Sequence, residues 1–200
     1  MLQKFDHEAA RAAVLYVAQR VAEPTFHKIG KVFYFADRQH LETYGRLMFG
    51  DSYTAFEFGP LPLAVYEELK AVREQRVSPE EVGYHIAMQL VRGSPKPAPV
   101  VQPMQAPDLD ELSVAMIKSL DASIERYGTK TFDELVALSH DDAWSKAWSS
   151  RVNDAPPMPL ETLVAASDHA ALLLEYLRDP MPGAEEQDPP LTAADSASPA

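Results

Sequence analysis

The sequence predicts an α+β fold: a mostly α-helical single domain with a small antiparallel β-sheet inserted between early helices. Three observations carry this. Apolar residues recur at helical spacing in several segments, as at Ala10, Val14, Val17 and Val21. One aromatic-rich stretch, residues 47–58, breaks that period between Gly45 and Gly59-Pro60. Helical segments run consecutively around this insertion instead of alternating with strands, which argues against a parallel α/β sheet. Two hundred residues suit one domain, and 46% hydrophobic residues supply material for a single core.

Residues 6–22 form the first helix, whose alanines suit close helix packing, and Pro24 ends it. Thr25 is the N-cap of a second helix over 26–44. There Ile29, Phe33, Ala36, His40 and Tyr44 share one side, and Phe26, Val32, Phe35 and Leu41 widen it. A stripe this broad predicts a buried, central helix. Gly30 within it costs about 1 kcal/mol relative to alanine, so close approach of another backbone is expected there. Gly45 supplies a left-handed stop.

Residues 47–49 and 53–58, separated by Gly50-Asp51-Ser52, predict a hairpin. Gly59-Pro60 then breaks the strand, and Pro60 opens a helix reaching Glu74. Ser78-Pro79-Glu80-Glu81 caps at most a short turn. Residues 82–92 and 100–104 predict a second strand pair, with Pro95, Pro97, Pro99 and Pro103 confining the later strand to an edge or an extended loop. Leu112, Met116, Ile117, Leu120 and Ile124 mark a helix that stops at Tyr127-Gly128. Thr131 and Glu134 form a capping box for a helix through Leu138. Ser139-His140-Asp141-Asp142 opens another, carrying Trp144 and Trp148 on one face, and three prolines at 156, 157 and 159 precede a last helix over 160–177. Residues 1–24 thus hold the N-terminal helix of the domain, 25–150 its core and 151–178 the C-terminal helix. Residues 179–200, an acidic Pro/Ala-rich tail, are expected to lack structure.

With no cysteine, disulfides, thiolate metal sites and cysteine nucleophiles are excluded. Charged residues near the start argue against a signal peptide, and no apolar run approaches the ~20 residues a membrane span needs. A cytoplasmic protein is expected. Net charge is −12, and the five acidic residues beyond Arg178 leave −7 for the rest. That sign argues against nucleic acid, and six basic residues against four acidic in 1–38 make no basic footprint.

Catalytic and metal patterns are weaker here than structural ones. Asp37 and His40 stand three apart on one helix, and His140 could approach them. Yet zinc needs three or four converging ligands, and H-E-x-x-H is absent. His40 reads as a core-edge histidine and His140 as part of a capping turn. No G-x-S-x-G elbow and no G-x-x-x-x-G-K-[ST] phosphate loop is present. The expectation is a protein that is not an enzyme and takes no metal or cofactor. Phe49, Tyr53, Phe56 and Phe58 have two readings, packing the sheet onto helix 26–44 or presenting an exposed patch, and a strand has faces for both.

In this order, Lys31-Val32-Phe33-Tyr34-Phe35-Ala36-Asp37-Arg38, His40-Leu41, Tyr44-Gly45, Gly50-Asp51 and Phe58-Gly59-Pro60 with Pro62 and Tyr66 form a series of motifs. Ile124-Glu125-Arg126-Tyr127-Gly128 and Leu138-Ser139-His140 with Trp144 complete it. The series resembles the Panacea domain of antitoxins from bacterial and phage toxin–antitoxin systems, over about residues 25–150. The resemblance implies neutralisation of a cognate protein toxin, encoded by an adjacent gene, through direct protein–protein interaction. It leaves the toxin unnamed, because the family pairs with toxins of unrelated types. Motif-matched candidates for partner binding are Tyr34, Asp37, Arg38, His40, Tyr53, Phe58, Pro60 and His140. Two alternatives stay open: an adaptor delivering a partner to a protease, by analogy, and a DNA-binding transcriptional regulator. The short helices within 131–149 suit the second, although Asp133, Glu134, Asp141 and Asp142 would meet phosphates badly.

Overall fold

Side-chain caps start the first two helices where the sequence places them. Asp6 accepts the Ala9 amide at the head of α1 (His7–Ala18), and Thr25 accepts that of Lys28 at the head of α2 (Phe26–Tyr44). Gly45, at φ 71°, ends α2 with its N–H on the Leu41 carbonyl. The computed structural model describes residues 3–78, 80, 81, 83, 86–90, 98–165 and 169–178. The tail at 179–200, with the structure expected or not expected of it, lies outside them.

The broad apolar stripe of α2 does what its width predicts. Ile29, Val32, Phe33 and Ala36 enter one core cluster with α1, Met48, Phe49 and Leu120. Tyr34 and Leu41 enter a second with Tyr53, Ala143, Met158 and Leu163. Edge-on ring pairs tie each cluster to α2: Phe33 with Phe49 at 5.2 Å, and Tyr34 with Tyr53 at 5.4 Å. Such pairs add about 0.5–1.5 kcal/mol each beyond the area they bury. At Gly30 the close neighbour is a side chain, not a backbone: a Cβ there would overlap Leu61 Cδ2.

The hairpin sits one segment later than expected. β1 (Tyr53–Phe56) pairs antiparallel with β2 (Gly59–Pro62), Tyr53 opposite Pro62 and Phe56 opposite Gly59, so Glu57-Phe58 makes the turn. Residues 47–49 form no strand. The Met48 N–H goes to the Asp37 carboxylate at 2.7 Å, and the Phe49 carbonyl accepts the Asp6 N–H, so both are committed elsewhere. β2 tolerates Pro60 and Pro62 because it lies at a sheet edge. A short strand the sequence did not reveal, β5 (Pro157–Met158), takes the other side of β1, and Ala55 N–H reaches the Pro156 carbonyl. The order is β2-β1-β5.

α3 (Leu63–Arg73) starts after Pro62 and lacks a cap from that residue. Asp51 supplies it from 13 and 14 residues upstream, accepting the Ala64 and Val65 amides at 2.9 and 3.0 Å as well as that of its neighbour Ser52. β3 (Ile86–Leu90) and β4 (Pro99–Pro103) pair antiparallel as expected, and the Val101 N–H on Pro24 anchors them beside the α1–α2 link. After a 3-10 turn at Leu109–Glu111 come α4 (Val114–Tyr127), α5 (Phe132–Ser139) and α6 (Asp142–Ser149). The Thr131–Glu134 capping box is present, and Asp141 caps α6 within the Ser139–Asp142 segment expected to open it. The last helix is described in two pieces, α7 (Leu160–Ala165) and α8 (Ala170–Arg178), on either side of residues 166–168. Among the described residues no helix is long and apolar enough to cross a membrane.

Replacing Asp51 with Ala strands two amides at the start of α3 and that of Ser52, so it is expected to cost about 1–2 kcal/mol, more than Asp51→Asn. Urea midpoints of the two variants measure this; equal midpoints would show that the cap contributes nothing.

Candidate functional site

Among the motif residues of α2 is a buried lysine. Lys31 is fully buried, and its Nζ donates to the Pro60 carbonyl at 2.9 Å. Gly59 makes the space: it sits at φ 94°, and a Cβ there would overlap both Lys31 Nζ and the Ser139 Oγ at the end of α5. Burial pulls the lysine down to about 6, against the opposing charge of Asp141. Asp141 itself joins three elements. Its Oδ1 caps α6 at the Trp144 N–H, while Oδ2 accepts the Tyr34 hydroxyl at 2.7 Å and the Arg38 guanidinium. Burial first, then this carboxylate, pushes the Tyr34 hydroxyl up, so it stays a neutral donor.

Further along α2, Asp37 is 1% exposed and accepts the Met48 amide and, at 2.8 Å, the Tyr53 hydroxyl. Burial raises its carboxyl to about 7, despite these two donors and assisted slightly by Asp51. His40 is fully buried and its Nδ1 meets Ser119 Oγ of α4 at 3.1 Å. It is a core histidine rather than one at the core edge.

Five of the eight candidate positions, Tyr34, Asp37, His40, Tyr53 and Pro60, are therefore buried. Their polar atoms hold helices and hairpin together, and they present no face to a partner in this conformation. Arg38 and His140 are half-buried, and Phe58 is 44% exposed. His140 ends α5 and lies flat on Trp144, rings 3.6 Å apart and 3° from parallel. Trp148 stacks beyond Trp144 at 5.4 Å, and the Arg151 guanidinium covers Trp148 at 4.1 Å. The Trp144 Nε1 donates to the Phe56 carbonyl, which fixes this column against the hairpin.

Outside this frame lies an aromatic surface that the motif positions indicated only through Phe58. Phe132, 47% exposed at the start of α5, meets Phe58 at 5.5 Å and His27 at 4.3 Å. Burial, with Lys31 nearby, lowers His27 to about 4. The neutral ring donates Nε2–H to the Phe58 carbonyl at 3.2 Å. An open groove of about 540 Å³ continues from there, lined by Phe56, Glu57, Phe58, Trp148 and Asp154. Lys31 is not among those motif candidates, yet it carries a signal, since a lone cation inside an apolar run of helix is a buried-charge signature. Phe132, Glu57 and Asp154 had none. Among the described residues no three His, Asp or Glu are grouped to hold a metal.

Fold and site together define an α+β domain whose polar motif residues build an internal frame beneath an exposed aromatic face. Residues 29–145 match the family model described as antitoxin SocA-like, Panacea domain, and the chain belongs to this family. Membership supports a role related to toxin–antitoxin systems. No curated protein and no solved structure matches the chain.

Two outcomes follow from the frame. Folded Asp37 holds a proton that the unfolded chain releases above about pH 4, so its contribution makes stability fall as pH rises from about 4 to about 7. Asp37→Asn keeps an acceptor for Met48 and removes that titration, so the variant should gain on the parent protein across this window. Denaturation of both proteins at pH 4.5 and 7.5 measures it, and a pH-independent difference would contradict it. Gly59→Ala is expected to cost about 2 kcal/mol or more, from its left-handed φ together with overlap at Lys31 and Ser139. A thermal midpoint unchanged from the parent would refute the packing described.

Proposed function

We propose that this chain is an antitoxin that neutralises a cognate protein toxin by direct protein–protein binding, acting in the cytoplasm and catalysing no reaction. The observation that carries this is the family match, which spans 29–145 and so takes in most of α2, the hairpin and the closing Ser139-His140 segment with Trp144. The exposed Phe58 and Phe132 support a protein partner, since interfaces favour aromatic residues and exposed apolar patches mark contact sites. A DNA-reading role gains no support at α5 and α6. Asp133, Glu134 and Asp142 are exposed there, and each would repel a phosphate.

Co-expression tests the proposal. The product of an adjacent gene should arrest growth when made alone, and this chain should restore colony formation and co-purify with that product. If no neighbouring product is both toxic alone and rescued by this chain, the proposal fails.

A further inference from the structure

We propose that the groove between the β1–β2 turn and the end of α6 takes the guanidinium of an arginine presented by a partner protein. This names the chemistry of the contact, and it rests on the antitoxin proposal for the statement that the partner is a toxin.

The lining supplies the argument. Three aromatic side chains, Phe56, Phe58 and Trp148, meet two carboxylates, Glu57 and Asp154, and no basic residue lines the groove. Both carboxylates belong to exposed residues. Neither side chain has an ion pair or hydrogen bond among the described residues. Aromatic surface beside unpaired negative charge suits a planar, weakly hydrated cation that can stack and hydrogen-bond at once. Arginine meets that description better than lysine, whose ammonium is compact and strongly hydrated.

The walls are held in place. Phe56 packs on Tyr66 at 5.4 Å, and its carbonyl is bound by Trp144. Trp148 is stacked on Trp144, which is stacked on His140. The molecule already contains one instance of the proposed contact: Arg151 lies over Trp148 and donates to the Trp148 carbonyl at 2.8 Å. With Trp144 and Arg151 already against the Trp148 ring, a second guanidinium, from outside, would stack on the exposed Phe58 and pair with Glu57 and Asp154. Phe58 and Phe132 extend the groove with exposed apolar surface, the usual setting of an arginine hot spot. Charge complementarity holds at long range as well, because a chain of net charge −12 steers basic partners toward it.

The test is an NMR titration of the full chain with N-acetyl-arginine amide, using N-acetyl-citrulline amide as the neutral isostere. A single blocked residue should bind with a Kd on the order of millimolar, given its size. Saturable shifts are expected at the Trp148 indole N–H and at Phe58. Citrulline should bind about fivefold more weakly, as expected for the loss of two exposed ion pairs. The surface double variant Glu57→Gln/Asp154→Asn should bring arginine to the citrulline level. Equal binding of the two probes overturns the proposal, as do shifts confined to other residues or a double variant that binds like the parent. No toxin is used, so failure here leaves the antitoxin proposal standing, while failure of the co-expression test leaves this titration decisive for the groove.

Discussion

One buried lysine organises this domain. Desolvating a lysine is costly unless a hydrogen bond and an opposing charge are arranged around it. Here the bond is to the Pro60 carbonyl, the room comes from Gly59, and the opposing charge is Asp141. Each requirement draws in a different element. Pro60 and Gly59 bring β2 onto α2, Ser139 brings the end of α5, and Asp141 brings α6 together with Tyr34 and Arg38. The Glu57-Phe58 turn is thereby fixed in space, and so is the aromatic column that leans on it.

Two acidic side chains do corresponding work elsewhere. Asp37 binds the Met48 amide and the Tyr53 hydroxyl, and Asp51 binds the first amides of α3. Both have raised carboxyls because burial opposes their charge, and their donors offset that burial. The polar residues of the motif series are thus mostly consumed inside the molecule. In three dimensions Tyr34, Asp37, His40 and Tyr53 tie elements of the fold to one another.

What was legible in the sequence was local. Thr25, Gly45 and the Thr131–Glu134 box act within one helical turn, and they gave the limits of α2 and the start of α5. The hairpin register was not legible, because residues 47–49 and 59–62 compete for β1. That competition is decided by Asp37, which takes the Met48 amide across the end of α2. β5 pairs with β1 over about a hundred residues, a distance at which periodicity carries no signal. Burial at the site was hidden for a related reason. Asp37 and Arg38 are neighbours in sequence, yet one points into the core and the other reaches a half-buried edge.

β5 has a consequence for how the chain is made. β1 finds β2 within a few residues, but its second edge stays open until Pro156–Met158 has been synthesised. An open strand edge is a template for pairing with other chains. A β1–β2 hairpin that forms before then offers that edge to other chains, and the two-residue strand beyond the family's matched span is what covers it.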